Sequence, residues 1–223
     1  MARIFDEELK ELQGEVLKVS ALVEESIHKS VESLKEGNSD LANEVIESDK
    51  KIDSLELEVD ERSLDLIARR QPVARDLRFI TMAMQIVTDL ERIADLAVDI
   101  AQRVLEVSDE PVIKPLVDIP KLAILAQNMV RDSVEAFVKK DAKLAKEVIL
   151  KEPQADSLRN AVQKELVYGY MAKDGSTAPR AVPLLLIARH LERMCDHATN
   201  ICEDVIYMVE GEVIKHHLDK LYE

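Results

Sequence analysis

The chain is dominated by long stretches in which apolar residues recur every three or four positions. In the first of these stretches, one face of a helix collects Leu9, Leu12, Val16, Val19, Val23 and Ile27. No stretch alternates apolar and polar residues as a half-buried strand does. The pattern therefore predicts six long helices, at about residues 6–36, 39–70, 72–108, 121–139, 141–172 and 179–210.

Residues that stop or start helices set these bounds. Gly37 and Asn38 are expected to end the first helix, and Ser39 or Asp40 to cap the second. Pro72 is expected in the first turn of the third helix. A proline-rich linker is predicted at 109–120, and a short turn at 173–177. Short turns make neighbouring helices antiparallel, as in a helical bundle.

The chain also repeats itself. Residues 22–55 align without a gap on 125–158 and are identical at twelve of 34 positions, and 89–102 align on 190–203. The duplication predicts an all-α fold of two tandem, structurally similar three-helix bundles, with domains at 1–110 and 111–223.

The amino-acid composition limits the classes of partner and the cellular location that we expect. The 223 residues include 30 basic and 44 acidic side chains, for a net charge of −14. This balance argues against a nucleic-acid partner, which needs clustered arginine and lysine, and suits cations or basic protein surfaces. No signal peptide or membrane span is readable, so we expect a cytoplasmic protein. Cys195 and Cys202 lie seven residues apart on one predicted helix, too far for a disulfide, and are expected to be buried thiols.

The repeat selects a few of the many carboxylates. Acidic residues four apart, and so on one helix face, occur at matching positions in both copies. In the first copy, the midpoints of the two pairs, 51 and 93, average to Pro72 at the turn, and in the second copy 154 and 194 average to Asp174. The two acidic pairs of each helical hairpin therefore lie at the same distance from its turn and face each other on neighbouring helices. The pairs are Asp49/Asp53, Glu91/Asp95, Glu152/Asp156 and Glu192/Asp196.

Four carboxylates at one level repel one another unless protons, arginine or cations compensate. All-oxygen sites suit hard ions such as Mg²⁺, Mn²⁺ and Ca²⁺, and also iron. Asp99 extends the first site by one turn, and its counterpart Asn200 is neutral, so the second site is expected to be weaker. The interpretation without metal is a solvated acidic face on which Arg92 and Arg193 pair with acids of their own helix. The predicted metal ligands are Asp49, Asp53, Glu91, Asp95, Asp99, Glu152, Asp156, Glu192, Asp196 and Asn200.

Three strings carry a family resemblance: QPVARDLR at 71–78, LERIAD at 90–95 and LERMCDHATNICE at 191–203. They resemble the PhoU family, accessory and regulatory proteins of bacterial phosphate transport, and the resemblance covers essentially the whole chain. The second copy departs from the first string and has Thr177–Arg180 in its place.

The resemblance implies multinuclear metal clusters at the acidic pairs, a cytoplasmic location, and negative regulation of phosphate uptake and of the phosphate-starvation response. It implies two partners, the ATPase subunit of the phosphate ABC transporter and the sensor histidine kinase of the phosphate response, and a homodimer is possible.

Two other functions are open. A carboxylate-bridged di-metal enzyme takes a Glu-x-x-His motif from each of two helices, but only Glu25 and His28 match, once. A purely structural helical scaffold with an acidic face is the other. No nucleophile–base pair or phosphate-cradling glycine-rich loop is readable, so we expect no catalytic turnover.

Overall fold

The structure, a computed structural model, describes residues 2–108, 113 and 117–214. No strand occurs among them. The helices are α1 (Ala2–Glu36), α2 (Ser39–Arg70), α3 (Ala74–Val107), α4 (Asp118–Lys139), α5 (Ala142–Ile149), α6 (Glu152–Lys164) and α7 (Ala178–Glu210), with a π-helical segment over Glu165–Met171 and a 3-10 turn over Gly175–Thr177.

The helices form two groups along the chain. α1, α2 and α3 pack on one another, and α4 packs with α5, α6 and α7. The predicted all-α class with tandem helical bundles is confirmed. The predicted boundary between residues 110 and 111 and most of the predicted linker lie outside the described residues, so the domain division stays a prediction.

The turn between α1 and α2 corrects the predicted cap. Gly37 adopts φ +64°, the left-handed conformation that glycine tolerates at the end of a helix. The residue that caps α2 is Asn38, whose side-chain oxygen accepts a hydrogen bond from the Leu41 amide at 3.1 Å. Ser39 and Asp40 are already inside the helix, so the prediction that one of them is the cap is wrong.

Helix α3 also begins later than predicted, after the turn that follows α2. Gln71 is left-handed, at φ +47°, and its N–H closes α2 on the Ile67 carbonyl at 3.1 Å. Val73 is extended, so α3 begins at Ala74 and Pro72 belongs to the connection. The residue before a proline is disfavoured in the right-handed helical region, which separates the two helices at this point.

The predicted fifth helix is interrupted. α5 ends at Ile149 and α6 begins at Glu152, so the prediction of one helix over 141–172 is wrong. Pro153 lacks an amide hydrogen and its ring clashes with the carbonyl four residues earlier, which belongs to Ile149. In the first copy Lys50 holds this position and α2 runs through it unbroken.

The two halves share one continuous core. The α1 residues Leu12, Val16, Val19, Val23 and Ile27 are fully buried, as their spacing predicts, and they belong to the same cluster as the buried residues of α3, α4 and α7. Antiparallel α3 and α7 pack extensively and form the seam between the halves. Each of these two helices therefore serves both its own bundle and the seam.

Candidate metal centres

The first predicted site lies between α2 and α3. The pKa of Asp49 is raised from 3.8 to about 6, first by burial and then by the negative charges of Asp53 and Asp95. Asp49 and Asp53 lie on α2, whereas Asp95 lies on α3. The charges that destabilise ionised Asp49 therefore come from both helices, and the structure brings the two pairs together.

The α3 members of this site respond in the same way. Burial, followed by the charge of Asp95, raises the pKa of Glu91, and Glu56 and Asp53 of α2 add to it. Burial also raises the pKa of Asp95, with Arg92 opposing the change. The first groove thus contains a further carboxylate, Glu56, which was not among the predicted ligands.

The second site repeats this arrangement between α6 and α7. Burial raises the pKa of Glu152, with further contributions from Asp156 on its own helix and Glu192 on α7. The pKa of Asp196 is raised to about 6 by desolvation, then by Glu192, Glu152 and Asp156. The four predicted residues again face one another across a helix pair.

Arginines partly neutralise both sites. Arg92 Nε lies 3.5 Å from Glu91 Oε2, and its Nη1 lies 3.6 Å from Asp95 Oδ2. In the second site, Arg159 Nη2 lies 3.7 Å from Asp156 Oδ1 and 3.4 Å from Glu192 Oε1. The interpretation without metal predicted this pairing for Arg92; it also predicted one for Arg193, which makes no ion pair within the described residues.

Arg159 was missed by the sequence analysis. The ungapped repeat ends at residues 55 and 158, and Arg159 is the next position, where the first copy has Glu56. Extending the alignment by one residue would have drawn attention to Arg159, because the charge at this position is reversed between the two copies.

The outermost predicted ligands take part in the seam between the halves. Asp99 Oδ2 lies 3.6 Å from His190 Nδ1 of α7. The Asn200 amide donates to Asp89 Oδ1 at 3.4 Å, and His197 Nδ1 lies 2.7 Å from the same oxygen. Asp99 and Asn200 stay predicted ligands, but each already has a polar contact across the α3–α7 seam.

The donor set suits a hard cation, since each groove offers carboxylate oxygens that repel one another. Within the described residues, however, no group of three or more His, Cys, Asp or Glu side chains is close enough to hold a metal ion. Ligation would therefore require these side chains to converge, and the metal role stays a prediction.

The remaining residues considered in the sequence analysis lie outside the two grooves. Cys195 and Cys202 are free and buried, as predicted, and burial raises the pKa of both thiols. His28 is exposed. Across residues 2–108 and 117–214, no helix has the length and apolar content that a bilayer crossing requires.

Comparison with known proteins finds one family in both halves of the chain. The model of the PhoU domain matches residues 16–104 and again residues 119–205. A protein of Aquifex aeolicus named "Phosphate-specific transport system accessory protein PhoU homolog" is 42% identical over 209 residues, covering 94% of each chain. The Escherichia coli "Phosphate-specific transport system accessory protein PhoU" is 32% identical over 221 residues, covering 97% of this chain and 91% of its own.

Solved structures agree with the sequence comparisons. The crystal structure of PhoU from Pseudomonas aeruginosa superposes with a TM-score of 0.89 at 35% identity, over 93% of this chain and all of the other. The phosphate transport system regulatory protein PhoU from Streptococcus pneumoniae gives a TM-score of 0.87 at 30% identity, over 94% of this chain and 98% of its own.

Proposed function

The chain belongs to the PhoU family, and from this membership and its paired acidic grooves we propose that it is a metal-binding accessory protein of a phosphate transport system. It acts in the cytoplasm as a negative regulator of phosphate uptake and of the phosphate-starvation response, and has no catalytic turnover of its own. The relatives' names support the transport role.

The observation that carries the metal-binding part is the mutual repulsion of carboxylates across each helix pair. Asp49 in the first groove and Asp196 in the second both have a pKa raised to about 6 by burial and acidic neighbours. A divalent or trivalent cation would replace this repulsion by attraction and would link α2 to α3, or α6 to α7. The residues that would hold it are the ten predicted ligands, with Glu56 as a further oxygen donor in the first groove.

The proposed partners are the ATPase subunit of the phosphate ABC transporter and the sensor histidine kinase. The net charge of −14 suits a basic docking surface, and long-range attraction would accelerate encounter at low salt. Recovery of either partner with tagged chain from its native cells, weakening as salt is raised, would support this assignment. Recovery of neither at low salt would contradict it.

The metal role is tested by Asp95→Asn and Asp196→Asn, which remove one carboxylate from each groove. Metal content, measured by elemental analysis of protein purified without added metal, should fall in each single variant and further in the double variant. The metal-dependent rise in melting temperature should fall with it, because a cation that binds only the folded state stabilises it by mass action. A matched control is Glu47→Gln, an exposed acid of α2 outside the grooves.

The same variants separate the proposal from a structural scaffold. A scaffold would contain no metal, and the double variant would be indistinguishable from the parent. In cells that lack the native gene, the parent chain should restore low expression of phosphate-starvation genes in high phosphate. Full restoration by a metal-depleted double variant would uncouple regulation from metal.

A further inference from the structure

The second groove has a feature that the first lacks, which is a cluster of arginines beside its carboxylates. α6 and α7 enclose a cavity of about 560 Å³ together with the start of the π-helical segment. Its polar lining includes Arg159 from α6 and Arg189 and Arg193 from α7. An apolar wall on the same cavity is formed by Val167, Leu185 and Leu186.

Two of these arginines have no structural partner. Arg189 and Arg193 are exposed, and neither makes a hydrogen bond or ion pair with another residue in the described part of the chain. They lie four residues apart on α7, where like charges face each other and destabilise a helix. In a protein of net charge −14, two unpaired cations on one cavity are unexpected for a merely solvated face.

The internal repeat shows that these cations are specific to one groove. Glu56 occupies the position of Arg159 in the first copy, and Thr88 occupies that of Arg189. In the first groove these two side chains satisfy each other, because the Thr88 hydroxyl donates to Glu56 at 3.0 Å. The same pair of positions thus carries an acid and a hydroxyl in one half, and two guanidinium groups in the other.

The carboxylates of the second groove leave positive charge available. Glu192 is paired with Arg159 at 3.4 Å. Asp196 is then the remaining acid on the cavity lining, on the same helix as the two unpaired arginines. Three arginines and two carboxylates line the cavity, so its lining has one more positive than negative charge; Asp156, 3.7 Å from Arg159, lies beside this lining.

We infer that this cavity binds the phosphate group of a small anion through Arg159, Arg189 and Arg193. A guanidinium presents parallel N–H donors whose geometry matches a tetrahedral oxyanion, and Arg is preferred where such recognition matters. The cavity falls within the size range of small-molecule sites, and its apolar wall would accommodate a base or another organic group. Free inorganic phosphate and a nucleotide share the chemistry that the arginines recognise. The inference goes beyond the proposed function and does not depend on it.

The test is calorimetric titration of the full chain, treated with a chelator and dialysed into low-salt buffer. Inorganic phosphate is the first probe and ATP the second. At least one of them should bind at one site per chain. The double variant Arg189→Gln/Arg193→Gln should weaken binding by about tenfold or more, since it removes charge-assisted hydrogen bonds.

The repeat supplies a matched control. Arg92→Gln changes the first-copy counterpart of Arg193, on the equivalent face of α3, and should leave the affinity unchanged. Binding of phosphate alone would identify free phosphate as the ligand, and binding of ATP alone would identify a nucleotide. Absence of binding by both probes at millimolar concentration, or an equal loss in Arg92→Gln, would overturn the inference.

A folding defect can be separated from a binding defect. Both substituted side chains are exposed, so the double variant should melt at the temperature of the parent chain. If it does not, Arg159→Glu provides a second variant that carries the residue of the first copy. Undiminished binding in that variant would also overturn the inference.

Discussion

The sharpest consequence of the acidic grooves concerns Asp49 and the pH dependence of stability without metal. Asp49 has a pKa of about 6 in the folded chain, raised from 3.8 by burial, Asp53 and Asp95. Because the folded-state value is the higher one, the folded chain holds a proton that the unfolded chain has released between these two pH values. Stability therefore falls as pH rises from about 4 to about 6, and the whole penalty is present above that range.

The magnitude follows from the two values. One pKa unit corresponds to about 1.4 kcal/mol, so ionised Asp49 destabilises the folded chain by about 3 kcal/mol at pH 8. At pH 4.5 the same relation gives about 1 kcal/mol. These figures are upper bounds, because Asp49 is only half-buried and water screens part of the repulsion. Asp49→Asn removes the charge and should stabilise the metal-free protein by up to these amounts.

The assay is urea unfolding followed by circular dichroism, in chelator, at several pH values from 4.5 to 8. The free energy of unfolding of Asp49→Asn should exceed that of the parent increasingly as pH rises. Glu47→Gln, an exposed substitution on the same helix, should show no such trend. A gain that is absent at pH 8, is independent of pH, or is equal in the control would refute the reasoning.

Adding metal should reverse the order of stability of the parent and Asp49→Asn. Adding Mn²⁺ should stabilise the parent more than Asp49→Asn, because the variant has lost one oxygen charge that a cation would use. If Mn²⁺ stabilises both equally, Asp49 is a half-buried acid without a ligand role, although the pH result would still hold.

Two further predictions test the seam and the thiols. His197→Ala removes the shorter of the two polar contacts to Asp89 and should lower the free energy of unfolding by about 1–3 kcal/mol. The exposed substitution His28→Ala should leave it within about 0.5 kcal/mol of the parent in urea titrations. Cys195 and Cys202 should react with Ellman's reagent only as fast as the chain opens, because both are buried and burial raises the pKa of each thiol; rapid modification in native buffer would contradict this burial.

Much of the fold was predictable because long amphipathic helices leave an unambiguous pattern. The buried face of α1 has the spacing from which it was inferred, and four of the six predicted helices end where the structure ends them, at Glu36, Arg70, Lys139 and Glu210. The interruption between α5 and α6 had a signal in Pro153, which the alignment with unbroken α2 obscured. The π-helical segment over Glu165–Met171 was not predicted, although it contains Gly169, a weak helix former.

The grouping of the acidic pairs was predictable from their equal distances to a hairpin turn. The prediction becomes less accurate for residues further along the helix from each pair. Equal heights above a hairpin turn placed Asp49 near Asp95, as their electrostatic coupling reflects. Each step of four residues also advances about 40° around a helix of 3.6 residues per turn. From Glu91 to Asp99 the side chain has therefore rotated by about 80°, away from α2 and towards the seam, where Asp99 approaches His190.

The duplication explains why the internal repeat pointed to both acidic grooves but could not describe how they differ. Positions retained in the two copies are those at which the same backbone geometry repeats, and these include the paired acids. Glu56 and Arg159 occupy equivalent positions of the two copies but carry opposite charges, and so do not register as a shared motif. The structure is needed to see that each side chain lies in the groove of its own half. In the first groove Glu56 adds to the repulsion on Glu91, and in the second Arg159 pairs with Glu192. The two grooves share one architecture and differ in electrostatics, so each should be assayed against the ions that its own charges favour.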